Sequence, residues 1–263
     1  MKVGWIGLGG IGTHMVKRAL ASGHRVSVYA RGRGLEEVEE AGAQVAMDYA
    51  SLAAQSEVLT LCVYSDAQLR SVLWEHGALA ALTPGSVLAI HTTGSSALAR
   101  KIGRLAPENV AVLDAAFSGG PSDAAAGKLT LMIGGEARVI ERVQPLFAAY
   151  AERIRHVGEL GQGRMLKLLN NLLFAANLQN AVEIARIAAK QGFSMDDCAR
   201  VIQDCSGASY ANGLLQGPAP AEGVLSRARP YLAKDLATVL ANAAEAGIDL
   251  SAFTSTALYY ESP

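Results

Sequence analysis

The sequence predicts an α/β protein: an N-terminal, doubly wound, mostly parallel sheet plus a C-terminal all-α domain, joined by a long central helix. Two observations support this. Over about the first 160 residues, short runs rich in β-branched residues alternate with helical stretches, a pattern typical of crossover connections between parallel strands. After about Gly163 the strand signals end. We therefore place the domains at residues 1–161 and 162–263.

The elements follow from local patterns along the chain. Strands are predicted at Val3–Gly7, Arg25–Tyr29, Val58–Val63, Val87–His91, Val110–Ala115 and Lys128–Ile133, and helices at Gly12–Ser22, Leu35–Ala41, Ala137–Tyr150, Ser194–Ile202, Tyr231–Ala246 and Ser251–Tyr260. Residues Arg164–Gln191 lack proline and glycine and are apolar on most faces, which predicts a buried helix. The three prolines and three glycines of Gly213–Pro230 predict a loop.

Composition excludes several classes of function. The chain is 51% hydrophobic and 18% charged, so it can bury a substantial core without disulfides. A net charge of −1 gives no field for nucleic acid or a membrane surface, and no run approaches the ~18 apolar residues of a membrane helix. Three cysteines are too few for a disulfide framework, which favours the cytoplasm. The five histidines show no ligand spacing, so no metal site is predicted.

A glycine motif lies between the first strand and the first helix. Residues Gly7, Leu8, Gly9, Gly10, Ile11 and Gly12 form a G-x-G-x-x-G. Glycine allows the tight turn, the close approach of backbone to a pyrophosphate, and the contact of helix with strand, while the helix N-terminus offers N–H groups to phosphates. The motif predicts a Rossmann-type dinucleotide site; a purely structural glycine-rich turn is the alternative.

The end of the second strand indicates which dinucleotide binds. An NAD enzyme places an acidic residue there to accept the ribose 2′-hydroxyl. This chain has Ala30 followed by Arg31 and Arg33, whose guanidinium groups suit a 2′-phosphate. We predict NADP(H) in preference to NAD(H); the alternative is that these arginines are solvated loop charges.

Two segments carry candidate chemistry. Ser118 and the backbone N–H groups of Gly119 and Gly120 follow a strand and could bind a carboxylate, although an ordinary turn fits as well. Lys167 and Asn171 are spaced i, i+4 on the central helix and share one face. Burial lowers the pKa of a lysine toward the range of general acid–base catalysis. The alternative is a lysine whose ammonium reaches the surface.

Together these segments resemble the β-hydroxyacid dehydrogenases, the family that includes 3-hydroxyisobutyrate and tartronate semialdehyde dehydrogenases. The matching signatures cover nearly the whole chain in the family's order: the glycine motif, Asp-Ala-Ala-Phe-Ser-Gly-Gly-Pro at 114–121, Gly-Lys-Leu-Thr-Leu-Met-Ile-Gly-Gly at 127–135, Gly-x-x-x-Lys-x-x-x-Asn at 163–171, and Lys-Asp-Leu at 234–236.

The resemblance implies roles. Lys167 is expected to exchange a proton with the substrate oxygen, Asn171 to orient the substrate, and Ser118, Gly119 and Gly120 to bind its carboxylate. Thr93 is expected beside the nicotinamide. Val63, Tyr64 and Ser65 are expected to line the cofactor, and Lys234 to reach its side of the site.

The substrate is then expected to be a small 3-hydroxy acid or its semialdehyde. Alternatives are an imine reductase on the same scaffold, although lysine at position 167 favours the hydroxy-acid class, and a non-catalytic dinucleotide-binding scaffold protein. Ala116-Phe117 replaces the family's usual Pro-Val and makes the pocket wall bulkier. Since members commonly run longer, we expect a closing C-terminal helix to be missing or reorganised. The long apolar helix predicts a homodimer or homotetramer.

Overall fold

The computed structural model describes residues 1–30, 34–217 and 221–261. It divides into two compact units, Met1–Lys167 and Leu168–Pro263. The strands are β1 (Lys2–Ile6), β2 (Arg25–Tyr29), β3 (Gln44–Val45), β4 (Val58–Leu61), β5 (Val87–Ile90), β6 (Ala111–Ser118), β7 (Leu129–Gly134) and β8 (Ala151–Gly158). The helices are α1 (Gly12–Ala21), α2 (Leu35–Glu40), α3 (Tyr49–Ala54), α4 (Asp66–Arg70), α5 (Ser96–Leu105), α6 (Pro121–Ala126), α7 (Ala137–Phe147), α8 (Gln162–Lys190), α9 (Met195–Gln203), α10 (Tyr210–Gly213), α11 (Ala221–Ala246) and α12 (Thr254–Glu261).

The first unit is built on one sheet of eight strands in the order β3-β2-β1-β4-β5-β6-β7-β8. Neighbouring strands pair in parallel except β6 with β7, which is antiparallel. The predicted doubly wound, mostly parallel sheet is therefore confirmed. Two strands were not predicted: β3, which has two exposed residues, and β8, whose residues are largely polar and partly exposed.

Both faces of this sheet are covered. Alternate residues of its strands belong to two separate hydrophobic clusters, one on each face. Every residue of β4 and of β5 is buried. Strands buried on both faces have continuous apolar runs, which explains why these two were easy to predict. Because β1, β2, β4, β5 and β6 are mutually parallel, the loops that follow them collect at one edge of the sheet.

The second unit is entirely helical within its described residues, and α8 supplies the centre of its core. Leu172, Leu178 and Val182 of α8 are buried in one hydrophobic cluster with residues of α9, α11 and α12. In α12, the Tyr260 hydroxyl donates to the backbone oxygen of Ala175 at 3.0 Å. A helix at 254–261 therefore packs on α8.

The prediction that α8 is buried nearly all round is wrong for the single chain. Leu169, Leu173, Ile184 and Ile187 are 45–57% exposed and lie within about 60° of one another around the helix axis. We call these four residues the exposed stripe. The core of the unit covers only the opposite side of α8, so this apolar face has no cover within the described part of one chain.

The prediction of a loop over Gly213–Pro230 is also wrong in part. Helix α11 begins at Ala221 and contains Pro230 in its interior. A proline inside a helix costs about 3 kcal/mol. Val224, Leu225 and Leu232 are at most 7% exposed in the core of the unit. Burial of each such side chain is worth roughly 1.5–3 kcal/mol, which outweighs the cost of the proline.

Candidate dinucleotide site and catalytic helix

The glycine motif forms the turn from β1 into α1, and two of its glycines are sterically required. Gly7 has φ +106°, and a Cβ there would overlap the backbone oxygen of Cys62, which follows β4. A Cβ at Gly12 would overlap the backbone oxygen of Gly7. The turn therefore fits only with glycine at both positions: neither has room for a Cβ, and Gly7 also has a φ that L side chains rarely adopt.

The remaining glycines of the motif leave space. No heavy atom lies within 4 Å of a Cβ built on Gly9, and the nearest to one on Gly10 is 4.0 Å away. Open backbone at the start of α1 fits a pyrophosphate, which needs close approach to N–H groups at a helix N-terminus. The first turn of α1 contains no acidic residue that would repel it.

The loop after β2 returns to the glycine turn. Gly34, with φ +90°, lies so close to Leu8 of the glycine turn that an added Cβ would lie 2.8 Å from the Leu8 backbone oxygen. Ala30, at the end of β2, packs against the core and carries no charge. The candidate 2′-phosphate ligands Arg31 and Arg33 lie outside the described residues.

The loops after β4 and β5 are joined by hydrogen bonds. The backbone N–H of Val63 donates to the Thr92 hydroxyl at 3.2 Å, and the Ser65 hydroxyl accepts the backbone N–H of Gln68 at 3.3 Å to cap α4. Tyr64 is half-exposed. Thr93 follows Thr92 directly. These residues follow β4 and β5 at the carboxyl edge of the sheet, and the backbone nitrogen of Val63 lies next to Gly7 of the glycine turn.

Ser118, Gly119 and Gly120 lie where β6 ends. Gly119 has φ +126°, which favours glycine. The backbone N–H of Gly120 donates to the Asp123 carboxylate at 2.7 Å, within the first turn of α6. A substrate carboxylate would have to compete with Asp123 for this N–H, which leaves the Ser118 hydroxyl and the Gly119 N–H as the simpler donors.

Two buried charged residues that were not predicted hold the start of α8. Asp114 in β6 is fully buried and accepts the backbone N–H groups of Gly161 and Arg164, both at 2.7 Å. Burial raises the pKa of Asp114, and these hydrogen bonds partly oppose the rise. An acidic residue inside the apolar run of β6 was the available signal. Arg164 is also fully buried and contacts residues 66, 92 and 95.

Lys167 lies one helical turn after Arg164 and is half-buried. Asn171, the next candidate on α8, is 9% exposed and donates from Nδ2 to Asp235 Oδ2 at 2.5 Å. The other carboxylate oxygen of Asp235 pairs with Lys234 Nζ at 3.2 Å. Asp235 therefore orients two candidate site residues of the second unit, Asn171 and Lys234.

Across residues 1–30, 34–217 and 221–261, no three His, Cys, Asp or Glu side chains are grouped so that they could hold a metal ion. Within the same described ranges, no helix is both long and apolar enough to cross a membrane.

The fold and the glycine turn define a dinucleotide-binding protein. Comparison with known proteins agrees: residues 2–158 match the family described as the NAD-binding domain of 6-phosphogluconate dehydrogenase, and residues 161–262 match that described as the NAD-binding domain of NADP-dependent 3-hydroxyisobutyrate dehydrogenase. The chain belongs to the β-hydroxyacid dehydrogenase family, and it is an NAD(P)-binding oxidoreductase of the hydroxyacid dehydrogenase type.

Similar proteins span most of the chain. An uncharacterised oxidoreductase of Shewanella frigidimarina is 35% identical over 73% of this chain and 67% of its own length. The 2-(hydroxymethyl)glutarate dehydrogenase of Eubacterium barkeri is 32% identical over 80% of this chain and 71% of its own. The structure of Mycobacterium tuberculosis 3-hydroxyisobutyrate dehydrogenase with L-serine has a TM-score of 0.87 at 24% identity, covering 99% of this chain and 92% of that one. At that identity the likeness shows the fold alone.

Proposed function

We propose that the protein is an NADP(H)-dependent dehydrogenase that interconverts a small 3-hydroxy acid and its semialdehyde, with Lys167 as the general acid–base. The observation that carries this proposal is the anchoring of α8. Asp114 and Arg164 fix the first turn of that helix to β6 and to the loop after β5. Lys167 follows one turn later, at the carboxyl edge of the sheet where open α/β folds bind their ligands.

The bound cofactor supplies the nicotinamide that accepts or gives the hydride. In the oxidation direction, the Lys167 amine takes the proton from the substrate hydroxyl; in reduction, its ammonium gives that proton back and stabilises the negative charge that develops on the oxygen. Ser118 and the Gly119 N–H bind the substrate carboxylate, with Gly120 contributing if Asp123 releases its N–H. Asn171 orients the substrate.

The choice of NADP(H) over NAD(H) rests on the residues after β2. Ala30 offers no carboxylate to the ribose 2′-hydroxyl, and Arg31 and Arg33 supply two cations in the next three positions. The description of the family that matches residues 161–262 names an NADP-dependent enzyme. We assign the remaining cofactor contacts to the glycine motif, Val63–Ser65, Thr93 and Lys234.

We assign residues 1–161 to cofactor binding and 162–263 to substrate binding and assembly. The exposed stripe of α8 supports a homodimer or homotetramer, because several exposed apolar side chains on one face of a helix are typical of an interface. We place the protein in the cytoplasm. We expect partners to be limited to small carboxylate substrates and further copies of the chain.

Replacement of Lys167 tests the reaction. Wild type and Lys167→Met are assayed by nicotinamide absorbance, with NADPH and NADH, against glyoxylate, succinic semialdehyde, methylmalonate semialdehyde and tartronate semialdehyde. We expect Lys167→Met to lose about 10²–10⁴-fold in kcat while its Kd for NADPH stays close to wild type. Lys190→Met, at the exposed far end of α8, is the matched control and keeps full activity.

Two results contradict the proposal. If Lys167→Met turns over substrate as fast as wild type, lysine is not the acid–base. If wild type binds NADPH tightly but reduces none of the aldehydes, while cyclic imines are reduced, the imine reductase alternative is correct; binding with no turnover of either class indicates a scaffold protein.

A further inference from the structure

The Arg164 side chain uses all three of its guanidinium nitrogens in hydrogen bonds. Its side chain is fully buried, and each guanidinium nitrogen has its own acceptor: Nε donates to the backbone oxygen of Thr92 at 2.9 Å, one terminal nitrogen to the backbone oxygen of Ser95 at 2.8 Å, and the other to Asp66 Oδ1 at 3.0 Å. The guanidinium is planar and presents its donors in a fixed fork, so these three acceptors are held in one arrangement.

The three acceptors belong to the segments that line the proposed cofactor site. Thr92 and Ser95 bracket Thr93, the residue assigned to the nicotinamide side. Asp66 begins α4 directly after Ser65, and its second oxygen accepts the backbone N–H of Ser95 at 2.8 Å. Gly94 leaves no room for a Cβ, which would overlap the Asp66 carboxylate. The loop after β5 is therefore clamped between Asp66 and Arg164.

The same residue fixes the catalytic helix from its backbone. The Arg164 N–H donates to Asp114 in β6, so residue 164 is held at both its main chain and its side chain. Lys167 follows about 4.5 Å further along the helix axis. Arg164 thus connects the loop carrying Thr93 to the helix carrying the lysine through its side-chain hydrogen bonds and three residues of chain.

Burying the Arg164 guanidinium is energetically costly if its only role is to stabilise the fold. Burial lowers the pKa of Arg164, and the nearby carboxylates of Asp66 and Asp114 oppose that effect. A buried ion pair is often no more stable than an apolar side chain of similar volume in the same place. Geometry is what the charged pair provides and an apolar residue does not.

We propose that Arg164 is a positioning residue: it sets the distance between Thr93 and Lys167, and thereby the placement of the acid–base relative to the nicotinamide. This inference rests on the proposed function for the role of Lys167. A displacement of 1 Å at a reacting group can cost about 100-fold in rate, so a change at Arg164 is expected to act on kcat without any contact to substrate.

The test compares Arg164→Lys and Asp66→Asn with wild type. Lysine keeps the charge but has one nitrogen in place of the planar fork; asparagine keeps an acceptor for Ser95 but removes the charge. We expect Arg164→Lys to lower kcat about 10–100-fold, to shift the pH profile of kcat, and to leave the Kd for NADPH within about 3-fold. We expect Asp66→Asn to lower kcat as well. The double variant should have a kcat no lower than that of Arg164→Lys, because both residues act through one network. Arg200→Gln, which breaks the exposed Arg200–Asp196 pair, is the control and changes none of these values.

Amide hydrogen exchange in the cofactor-free protein gives a second measurement. Exchange at Thr93 and Gly94 is expected to accelerate in Arg164→Lys and not in Arg200→Gln. Unchanged exchange together with unchanged kcat overturns the proposal, and so does a parallel loss of NADPH affinity and thermal stability, which makes Arg164 a structural residue only. If Arg164→Lys does not fold, Asp66→Asn decides by the same criteria. A wild type without turnover refutes the proposed function, whereas the exchange result still decides whether the clamp exists.

Discussion

The carboxylate of Asp114 accepts the backbone N–H of Arg164 at 2.7 Å, which ties the middle of β6 to the first turn of α8. Its other oxygen accepts the N–H of Gly161 at the same distance. A helix N-terminus has N–H groups without partners inside the helix, and a buried carboxylate satisfies them well. One side chain therefore determines where the helix bearing Lys167 begins.

Asp114→Asn is expected to lower the free energy of unfolding by about 1–3 kcal/mol. Asparagine has one acceptor oxygen in place of two, so one of the two N–H donors would face an NH₂ group and remain unsatisfied in a buried site. Urea unfolding followed by circular dichroism measures the change. Asp204→Asn, an exposed control, should stay within about 0.5 kcal/mol of wild type; an equally small effect at Asp114 would contradict this account.

Alanine substitutions in the glycine motif are expected to separate folding from cofactor binding. Gly9→Ala should fold normally, because its Cβ meets no protein atom, but should weaken NADPH binding about 10-fold or more by occupying the space left for the phosphates. Gly7→Ala should lose thermal stability, because its Cβ overlaps the Cys62 backbone at φ +106°.

The measurements are the melting temperature and the Kd from NADPH fluorescence. Gly207→Ala, where the nearest atom to an added Cβ is 3.4 Å away, serves as the control for Gly9→Ala. If Gly9→Ala binds NADPH as well as wild type does, the phosphates lie elsewhere.

The sequence predicted the sheet well because its signals are local. Buried parallel strands such as β4 and β5 are continuous apolar runs, and G-x-G-x-x-G has a steric cause that the structure reproduces at Gly7 and Gly12. Helix α11 was missed in its first half because Pro230 and Gly223 are strong local breakers, and only long-range burial of Val224 and Leu225 outweighs them.

The site was predicted less completely, for a related reason. The residues proposed to contact ligands follow strands or lie on helices within short motifs, and those motifs are visible in the sequence. The groups that hold them, Asp114, Arg164 and Asp66, are separated by up to 98 residues in sequence and become neighbours only in the folded chain. No pattern in a single sequence reveals such a pairing.

Acid is expected to destabilise the protein through His91. This residue is 1% exposed; its Nδ1–H donates to the Ala115 oxygen at 2.5 Å, and its Nε2 accepts from Tyr150 at 3.0 Å, so it is held neutral. Burial lowers the pKa of His91 to about 4 from 6.5. Between pH 6.5 and pH 4 the unfolded chain binds a proton at this histidine and the folded protein does not. The free energy of unfolding therefore decreases as the pH falls, and this decrease ends below pH 4.

Between pH 7.5 and 5.0 this amounts to roughly 2 kcal/mol of lost unfolding free energy. The measurement is urea unfolding of wild type and His91→Gln at both pH values. The variant should be less stable than wild type at pH 7.5, but its unfolding free energy should fall by roughly 2 kcal/mol less between the two pH values. Other titrating groups contribute equally to the pH dependence of both proteins. Equal pH dependence in the two proteins would show that His91 is protonated without penalty.

Cofactor preference is expected to reside in Arg31 and Arg33. Arg31→Ala and Arg33→Ala should raise the KM for NADPH about 10-fold or more each and leave the KM for NADH nearly unchanged, because only the 2′-phosphate needs a cation. Steady-state kinetics with both cofactors give the ratio. Arg142→Ala, on the exposed side of α7, is the control. An unchanged KM ratio in both arginine variants would refute the preference for NADP(H).

Assembly is expected to depend on the exposed stripe of α8. Leu173 and Ile184 are 57% and 48% exposed in the single chain, and a second copy of the chain would cover them. Leu173→Asp would place a charge in that interface, where it loses its hydration without gaining a partner. Sedimentation velocity at micromolar concentration should show an oligomer for wild type and mostly monomer for Leu173→Asp. Val201→Asp, at an exposed apolar position of α9 outside the stripe, should still assemble. A wild type that sediments as a monomer would mean that this apolar face is covered by something other than a second copy.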